Sequence, residues 1–149
     1  MNNWLYNVDG WKSQLSDEFT TNNFGFIYKI TNLETGKFYI GKKVFVHNKK
    51  KKLTKEELAE QSGPGRKPTS KVVQVESDWR TYWGSSKELL ADVKSLGEDK
   101  FERLIIAMCS TKKQLTYAEL FYQIHYNVLV VDSYNDNILG KFYRKDLQG

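Results

Sequence analysis

Two segments rich in β-branched and aromatic residues, Phe24 to Ile30 and Lys37 to Lys43, give the first strong secondary-structure signal in the chain. The six residues between them, 31–36, include asparagine and glycine, which favour a turn. The pattern therefore predicts a β-hairpin with a long connecting loop. Residues 1–23 carry several aromatic side chains without a strand or helix period, and we assign no element to this N-terminal lead-in.

Three helix starts are predicted by capping boxes, in which Ser or Thr is followed three residues later by Glu or Gln. The pairs are Thr54 with Glu57, Ser85 with Glu88, and Thr111 with Gln114. The first predicts a short helix to Gln61, the second a helix that stops at Gly97, and the third a helix to about Tyr126. Phe101 to Met108, before the last helix, is a nearly continuous apolar run that predicts a buried strand.

These elements predict an α+β fold with a small, mainly antiparallel, three-stranded sheet flanked by helices. The chain length of 149 residues favours a single domain that covers residues 1–149. The active site is expected on one face of the sheet. Residues 48–70 hold both prolines and few large apolar side chains. We therefore predict a lysine-rich insertion after the second strand, bounded at 44–76, that is a loop with at most one short helix.

The charge is concentrated in one part of the chain. The formal net charge is +5, yet residues 42–71 alone hold ten Lys or Arg and three Glu, a net charge of +7. A positive stretch of this kind suits a phosphate backbone. A solvated loop whose lysines keep the protein soluble explains the charge equally well.

The remaining composition excludes several classes of protein. Hydrophobic residues make up 40% of the chain, which favours a folded domain over a disordered one. The single cysteine, Cys109, cannot form an intrachain disulfide, so a reducing cytoplasm is expected. Residues 1–10 lack a signal-peptide pattern and no run of 18 apolar residues occurs, so neither export nor a membrane partner is expected.

Phe26-Ile27-Tyr28 and Tyr39-Ile40-Gly41 resemble the two signature triplets of GIY-YIG nucleases, with Phe26 where the first triplet has glycine. Taken alone, one tyrosine in each strand of a hairpin favours a structural role. The resemblance grows because Arg80, a strand, Glu119 in a helix and a late asparagine follow in the family's order. Residues 78–87 are similar to a block in Seg-type members, which implies a phage-encoded endonuclease acting in the bacterial host cytoplasm. The resemblance favours a homing or phage-exclusion role and leaves restriction-like and repair-like roles open.

The resemblance implies hydrolysis of DNA phosphodiester bonds with Mg²⁺ or Mn²⁺ as cofactor. The implied catalytic residues are Tyr28 as general base, Tyr39 orienting water or phosphate, Arg80 on a phosphate oxygen, Glu119 as metal ligand, and Asn135 as the late asparagine with Asn137 as its rival. A phenol has an ordinary pKa of about 10, so a base role needs a nearby cation, for which Lys42 and Lys43 are the candidates.

Glu119 also stands out from the residues themselves, because it is the only acid between Glu102 and Asp132 and lies in a largely apolar helix. An ionised carboxylate there needs a partner or a cation unless it points to water. Many family members carry a histidine a few residues after the arginine, whereas this chain has Tyr82 or Trp83. That departure keeps a catalytically inactive nucleic-acid-binding module open as an alternative, beside a plain interaction protein.

Eight basic residues are predicted to bind DNA: Lys42, Lys43, Lys49, Lys50, Lys51, Lys52, Arg66 and Lys67. The sequence contains no zinc finger or helix-turn-helix pattern after the nuclease core. The DNA target and the oligomeric state are therefore open.

Overall fold

A computed structural model of the chain describes residues 4–8, 11–14 and 22–147. Its contacts divide the chain into two compact units, one formed by Met1–Phe45 with Asp78–Gly149 and the other by Val46–Ser77. No helix within the described ranges is long and apolar enough to cross a membrane.

The first unit is built on a five-stranded sheet. Its strands are β1 (Leu5–Val8), β2 (Trp11–Gln14), β3 (Gly25–Asn32), β4 (Phe38–Val44) and β7 (Phe101–Cys109), in the spatial order β2-β1-β7-β3-β4. All neighbours are antiparallel except β1 with β7. The hairpin and the strand after it are confirmed, but the prediction of three strands is wrong. Strands β1 and β2 have four residues each, too few to show a period in the sequence.

The described residues form three α-helices, α1 (Lys55–Ala59), α2 (Lys87–Leu96) and α3 (Lys112–His125). Thr54 caps α1 and Thr111 caps α3, as predicted. The cap of α2 is Ser86 rather than Ser85, and its hydroxyl accepts a hydrogen bond from the backbone N–H of Leu89. The Ser85 hydroxyl therefore does not cap the helix and contacts another side chain, described below.

The two faces of the sheet carry separate cores because side chains alternate along a strand. Phe26 and Tyr28 lie on one face, in a buried cluster with Leu89 of α2. Ile27 and Ile40 lie on the other, in a cluster with Leu115 of α3. Strand β4 lies at the end of the sheet and α3 packs against it. Among the described residues, the backbone N–H and C=O groups on one side of β4 have no neighbouring strand, so other parts of the chain must hydrogen-bond to them.

The second unit is an antiparallel hairpin of β5 (Val46–Lys52) and β6 (Ser70–Glu76), with α1 in the connection. The predicted loop is therefore wrong at its basic end, because Lys49 to Lys52 lie on β5. Four consecutive lysines have neither the alternation nor the composition of a strand. The pairing partners on β6, which include Val72 and Val73, supply the β-forming residues instead. Strands β8 (Asn137–Ile138) and β9 (Phe142–Tyr143) form a small hairpin in the tail of the first unit.

Candidate active site

Tyr28 and Gly41 face each other across the β3–β4 pair, and the missing side chain of Gly41 makes room for the tyrosine. A Cβ atom at Gly41 would lie 2.5 Å from the Tyr28 hydroxyl oxygen and 2.9 Å from Cε1 of Tyr39. The register of β3 against β7 also shifts between Ile27 and Tyr28. Such irregularities re-aim side chains and occur beside active sites. Gly41 therefore serves the packing of both tyrosine rings.

Gly41→Ala is expected to lower the cleavage rate by about 100-fold, because small misplacements of reacting groups have effects of that size. The new methyl group must displace the hydroxyl of Tyr28 or the ring of Tyr39. The measurement is single-turnover cleavage, with DNA affinity measured in parallel. A variant that cleaves at the normal rate would show that the positions of these rings are unimportant.

Three tyrosines meet at this point. The Tyr28 ring is buried and its centroid lies 6.0 Å from that of Tyr39 and 5.9 Å from that of Tyr82. The Tyr39 hydroxyl is 2.8 Å from the hydroxyl of Ser85. Tyr82 forms a side-chain hydrogen bond with Tyr28. Of the two residues near the position of the expected histidine, Tyr82 is therefore the one that belongs to the site. Trp83 instead lies in the core.

The expectation that Lys42 or Lys43 lowers the pKa of Tyr28 is wrong. Burial raises that pKa well above its ordinary value, and the neighbouring Tyr39, Tyr82 and Glu119 raise it further. Burial likewise raises the pKa of Tyr39. The Lys43 ammonium lies 3.9 Å from the centre of the Tyr82 ring and pairs with Asp78, while that of Lys42 is 3.9 Å from Glu119. In this structure both strand tyrosines are neutral phenols at neutral pH.

Glu119 projects from α3 toward the edge of β4. Its side chain is 17% exposed. Burial raises the pKa of the carboxyl, and the Lys42 ammonium and a hydrogen bond from the Lys42 backbone N–H lower it in part. The carboxylate is thus poorly hydrated and only partly neutralised, which is an environment that favours a bound cation.

The side-chain amide of Asn135 hydrogen-bonds to the backbone of β4 at the same edge, as a neighbouring strand would. Its amide oxygen accepts from the N–H of Ile40 at 3.0 Å, and its amide nitrogen donates to the Ile40 carbonyl at 2.9 Å. Gln123 donates to that carbonyl as well, at 3.1 Å, and Arg144 donates to the carbonyl of Asn135 at 2.9 Å. Asn137 instead accepts from the backbone of an exposed turn. The buried Asn135 therefore holds the strand segment between Tyr39 and Gly41 in place.

The structure places the candidate residues around an edge of the sheet, whereas the sequence predicted a site on one face. Tyr28 and Tyr39 belong to the face that α2 covers, whereas Glu119 comes from the helix on the opposite face. They approach each other around the edge strand β4, where the charge of Glu119 acts on both phenols. A polar depression of about 230 Å³ lies beside Tyr39, Ser85 and Asn135.

Arg80 lies in a short 3₁₀ turn, Trp79–Thr81, with its exposed guanidinium 4.4 Å from the Trp79 ring centre. A second arginine, Arg103 on β7, supports this turn. Its buried guanidinium lies between the rings of Trp4 and Trp83 and donates to the carbonyls of Arg80 and Tyr82, at 3.2 and 2.8 Å. Burial lowers the pKa of Arg103 to about 10.

Sequence reasoning missed Arg103 because it treated the residue as an interruption of an apolar strand. The signal was present in the alternation of β7, where Phe101, Arg103 and Ile105 are the buried positions of one face. An arginine at a buried strand position needs hydrogen-bond acceptors inside the fold. Here those acceptors are backbone carbonyls of the turn that carries Arg80 and Tyr82.

Arg103→Lys is expected to destabilise the fold by about 1–3 kcal/mol and to lower the cleavage rate. Lysine lacks the planar guanidinium that lies between the Trp4 and Trp83 rings, so the nitrogen that donates to both carbonyls is no longer held in place. The turn that carries Arg80 and Tyr82 then loses its anchor. Chemical denaturation and single-turnover cleavage measure the two effects, and unchanged values in both would refute the anchoring role.

Among the described residues, no group of three or more His, Cys, Asp or Glu side chains is arranged to hold a metal ion. Glu119 is therefore a single-carboxylate candidate. Mg²⁺ suits such a site because it commonly keeps several waters and binds through one or two carboxylates together with substrate phosphates. The poorly compensated charge of Glu119 fits that cation.

The first unit has a mixed α+β fold, with two tyrosines on a hairpin and a carboxylate on a following helix. Residues 4–147 match the family model described as "Putative endonuclease segE, GIY-YIG domain". The match spans most of the chain, which therefore belongs to this GIY-YIG family. No curated protein and no solved structure matches the chain.

Proposed function

We propose that this protein is a metal-dependent endonuclease that hydrolyses phosphodiester bonds in DNA. The observation that carries the proposal is the position of the Glu119 carboxylate, 3.9 Å from the ammonium of Lys42, which follows Gly41, the strand partner of Tyr28. Membership of a GIY-YIG endonuclease family supports it. The phage-encoded, homing-type role belongs to the same proposal and rests on the resemblance of residues 78–87 alone.

Each side chain has a task in this reaction. Glu119 would hold Mg²⁺ or Mn²⁺, and the ion would supply positive charge to the phosphate and the leaving oxygen and favour loss of a proton nearby. Tyr28 would accept the proton of the attacking water as a phenolate, after a cation held at Glu119 has offset the burial that raises its pKa. Tyr39, kept in place by Ser85, orients that water or the phosphate. Arg80 offers its planar fork to a non-bridging oxygen.

Two members of the site act by positioning. Asn135 holds the backbone of Ile40, and Gly41 admits the rings of both strand tyrosines. The buried core beneath Tyr28 excludes water from its ring. Lys42 and Lys43 have partners within the site, so we assign nonspecific attraction for DNA chiefly to the other predicted basic residues, which lie in the second unit.

An end-labelled duplex incubated with Mg²⁺, Mn²⁺ or EDTA tests the proposal. Cleavage is expected with either metal and not with EDTA, and the fragments should carry the ends of a hydrolytic reaction. Equal cleavage in EDTA would overturn the metal dependence. Absence of cleavage of duplex, nicked and branched DNA would overturn the endonuclease.

The alternative function is a nucleic-acid-binding module without catalysis. The raised pKa values of Tyr28 and Tyr39 favour it, because neither phenol is ready to accept a proton. The same duplex assay separates the two functions. Salt-sensitive binding without cleavage under any metal condition supports the alternative, whereas cleavage excludes it.

A further inference from the structure

The hairpin of β5 and β6 presents two different faces. Side chains directly opposite each other in an antiparallel pair share a face, and faces alternate along each strand. On one face the register places the pairs His47 with Val75, Lys49 with Val73, and Lys51 with Lys71. On the other it places Val46 with Glu76, Asn48 with Gln74, Lys50 with Val72, and Lys52 with Ser70. We name the last three of these pairs the amide face, and Glu76 lies beyond them at the end of the ribbon.

The chain's own α1 approaches the first face and leaves the amide face open. Lys71, on the first face, pairs with Glu57 of α1, and Val73 on that face is partly buried. Val72 on the amide face is 67% exposed, and Asn48, Gln74 and both of its lysines are also exposed. The amide face is therefore available to a partner.

We propose that the amide face enters the major groove of duplex DNA and recognises base edges there. This inference rests on the proposed function, since it takes DNA as the substrate. The major groove, about 12 Å wide, admits a two-stranded β-ribbon. Seven residues per strand give the ribbon a length of about 23 Å. Its dimensions thus suit the groove.

The chemistry of the face matches that position. Asparagine and glutamine amides pair with the N6 and N7 edge of adenine, and an exposed apolar side chain such as Val72 suits the methyl group of thymine. Lys50 and Lys52 on the same face supply attraction to phosphate or to guanine. The amides stand directly opposite each other, so both reach the same or adjacent base pairs.

Solubility alone explains the lysines but not this arrangement. Solubility does not require Asn48 to stand directly opposite Gln74, with both amides exposed on the face that carries Lys50 and Lys52. This pairing favours a nucleic-acid surface on the ribbon.

Selection from a random duplex library, with the full-length protein in EDTA, tests the proposal. The wild type is expected to enrich sequences containing a defined adenine-thymine step. The double variant Asn48→Ala, Gln74→Ala is expected to lose enrichment at that step while its affinity for unselected duplex stays within about threefold. A matched variant on the other face, Lys49→Gln with Lys51→Gln, is expected to bind all sequences less tightly but enrich the same one.

A modified base gives a second, independent reading. Replacing adenine by 7-deazaadenine in the enriched duplex removes the N7 acceptor from the major groove. Wild-type affinity is expected to fall by about 10-fold, with little change for the amide double variant. Binding without enrichment, or the same enriched sequence in the double variant, would overturn this inference and leave the proposed nuclease intact. Failure of the wild type to bind any duplex would overturn both.

Discussion

Glu119→Gln is expected to lower the cleavage rate by about 1,000-fold or more, because it removes the charge that holds the metal. Glutamine keeps the size of the side chain and an oxygen that accepts from the Lys42 N–H. The variant should therefore fold and bind DNA as before. Single-turnover cleavage in Mg²⁺ and a DNA titration in EDTA measure the two properties separately.

The same substitution is expected to raise thermal stability at neutral pH. Burial raises the pKa of Glu119, so ionisation of this carboxyl opposes folding. That penalty is absent below the unfolded-state pKa and grows as the pH rises through the folded-state pKa. The wild type should lose stability over this interval relative to Glu119→Gln. Melting temperatures measured from acidic to neutral pH without divalent metal check the sign, and addition of Mg²⁺ should stabilise the wild type alone.

Tyr28→Phe is expected to lower the cleavage rate by about 100-fold or more, the usual contribution of a positioned proton-transfer group. Phenylalanine retains the buried ring that packs beside Trp4 and Tyr82. The loss of the hydroxyl should cost only about 1 kcal/mol of folding stability. A large kinetic effect with a small stability effect is therefore the expected result.

Tyr126→Phe is the matched control for this variant. Its ring packs against Phe38 and the Lys29 ammonium in the other core, and it belongs to no part of the proposed site. Cleavage by Tyr126→Phe should be close to that of the wild type. If Tyr28→Phe cleaves as fast as this control, Tyr28 has no chemical role and the general base lies elsewhere.

Local patterns predicted the scaffold well. The hairpin that carries Tyr28 and Tyr39 was recognisable from its β-forming segments and its turn. Thr54 and Thr111 were recognisable as helix caps because capping depends on residues only three positions apart. The apolar run that became β7 was equally visible, because a strand between two other strands is buried along most of its length.

The errors arose where distant parts of the chain decide the outcome. Ser85 and Glu88 have the spacing of a capping box. The Ser85 hydroxyl nevertheless hydrogen-bonds to the Tyr39 hydroxyl, and Ser86 caps α2 instead. Lys49 to Lys52 became a strand because β6 pairs with them. Strands β1 and β2 were missed because four-residue strands depend on the sheet they join.

The electrostatics of the site were the feature that the sequence predicted least well. Adjacency in sequence suggested that Lys42 and Lys43 act on Tyr28, yet they contact Glu119 and Asp78 instead. Burial, which raises the pKa of Tyr28, is a property of the packed cluster and not of the strand. The position of Asn135 against the edge of β4 likewise joins residues 95 positions apart.

The most direct test of Glu119 as the metal ligand is nicking of supercoiled plasmid DNA in Mg²⁺ by the wild type and by Glu119→Gln, with each protein at a concentration that saturates the DNA. We expect conversion to nicked or linear forms by the wild type and none by the variant over the same period, although both are bound. Equal conversion by the two proteins would show that Glu119 is not part of the hydrolytic centre.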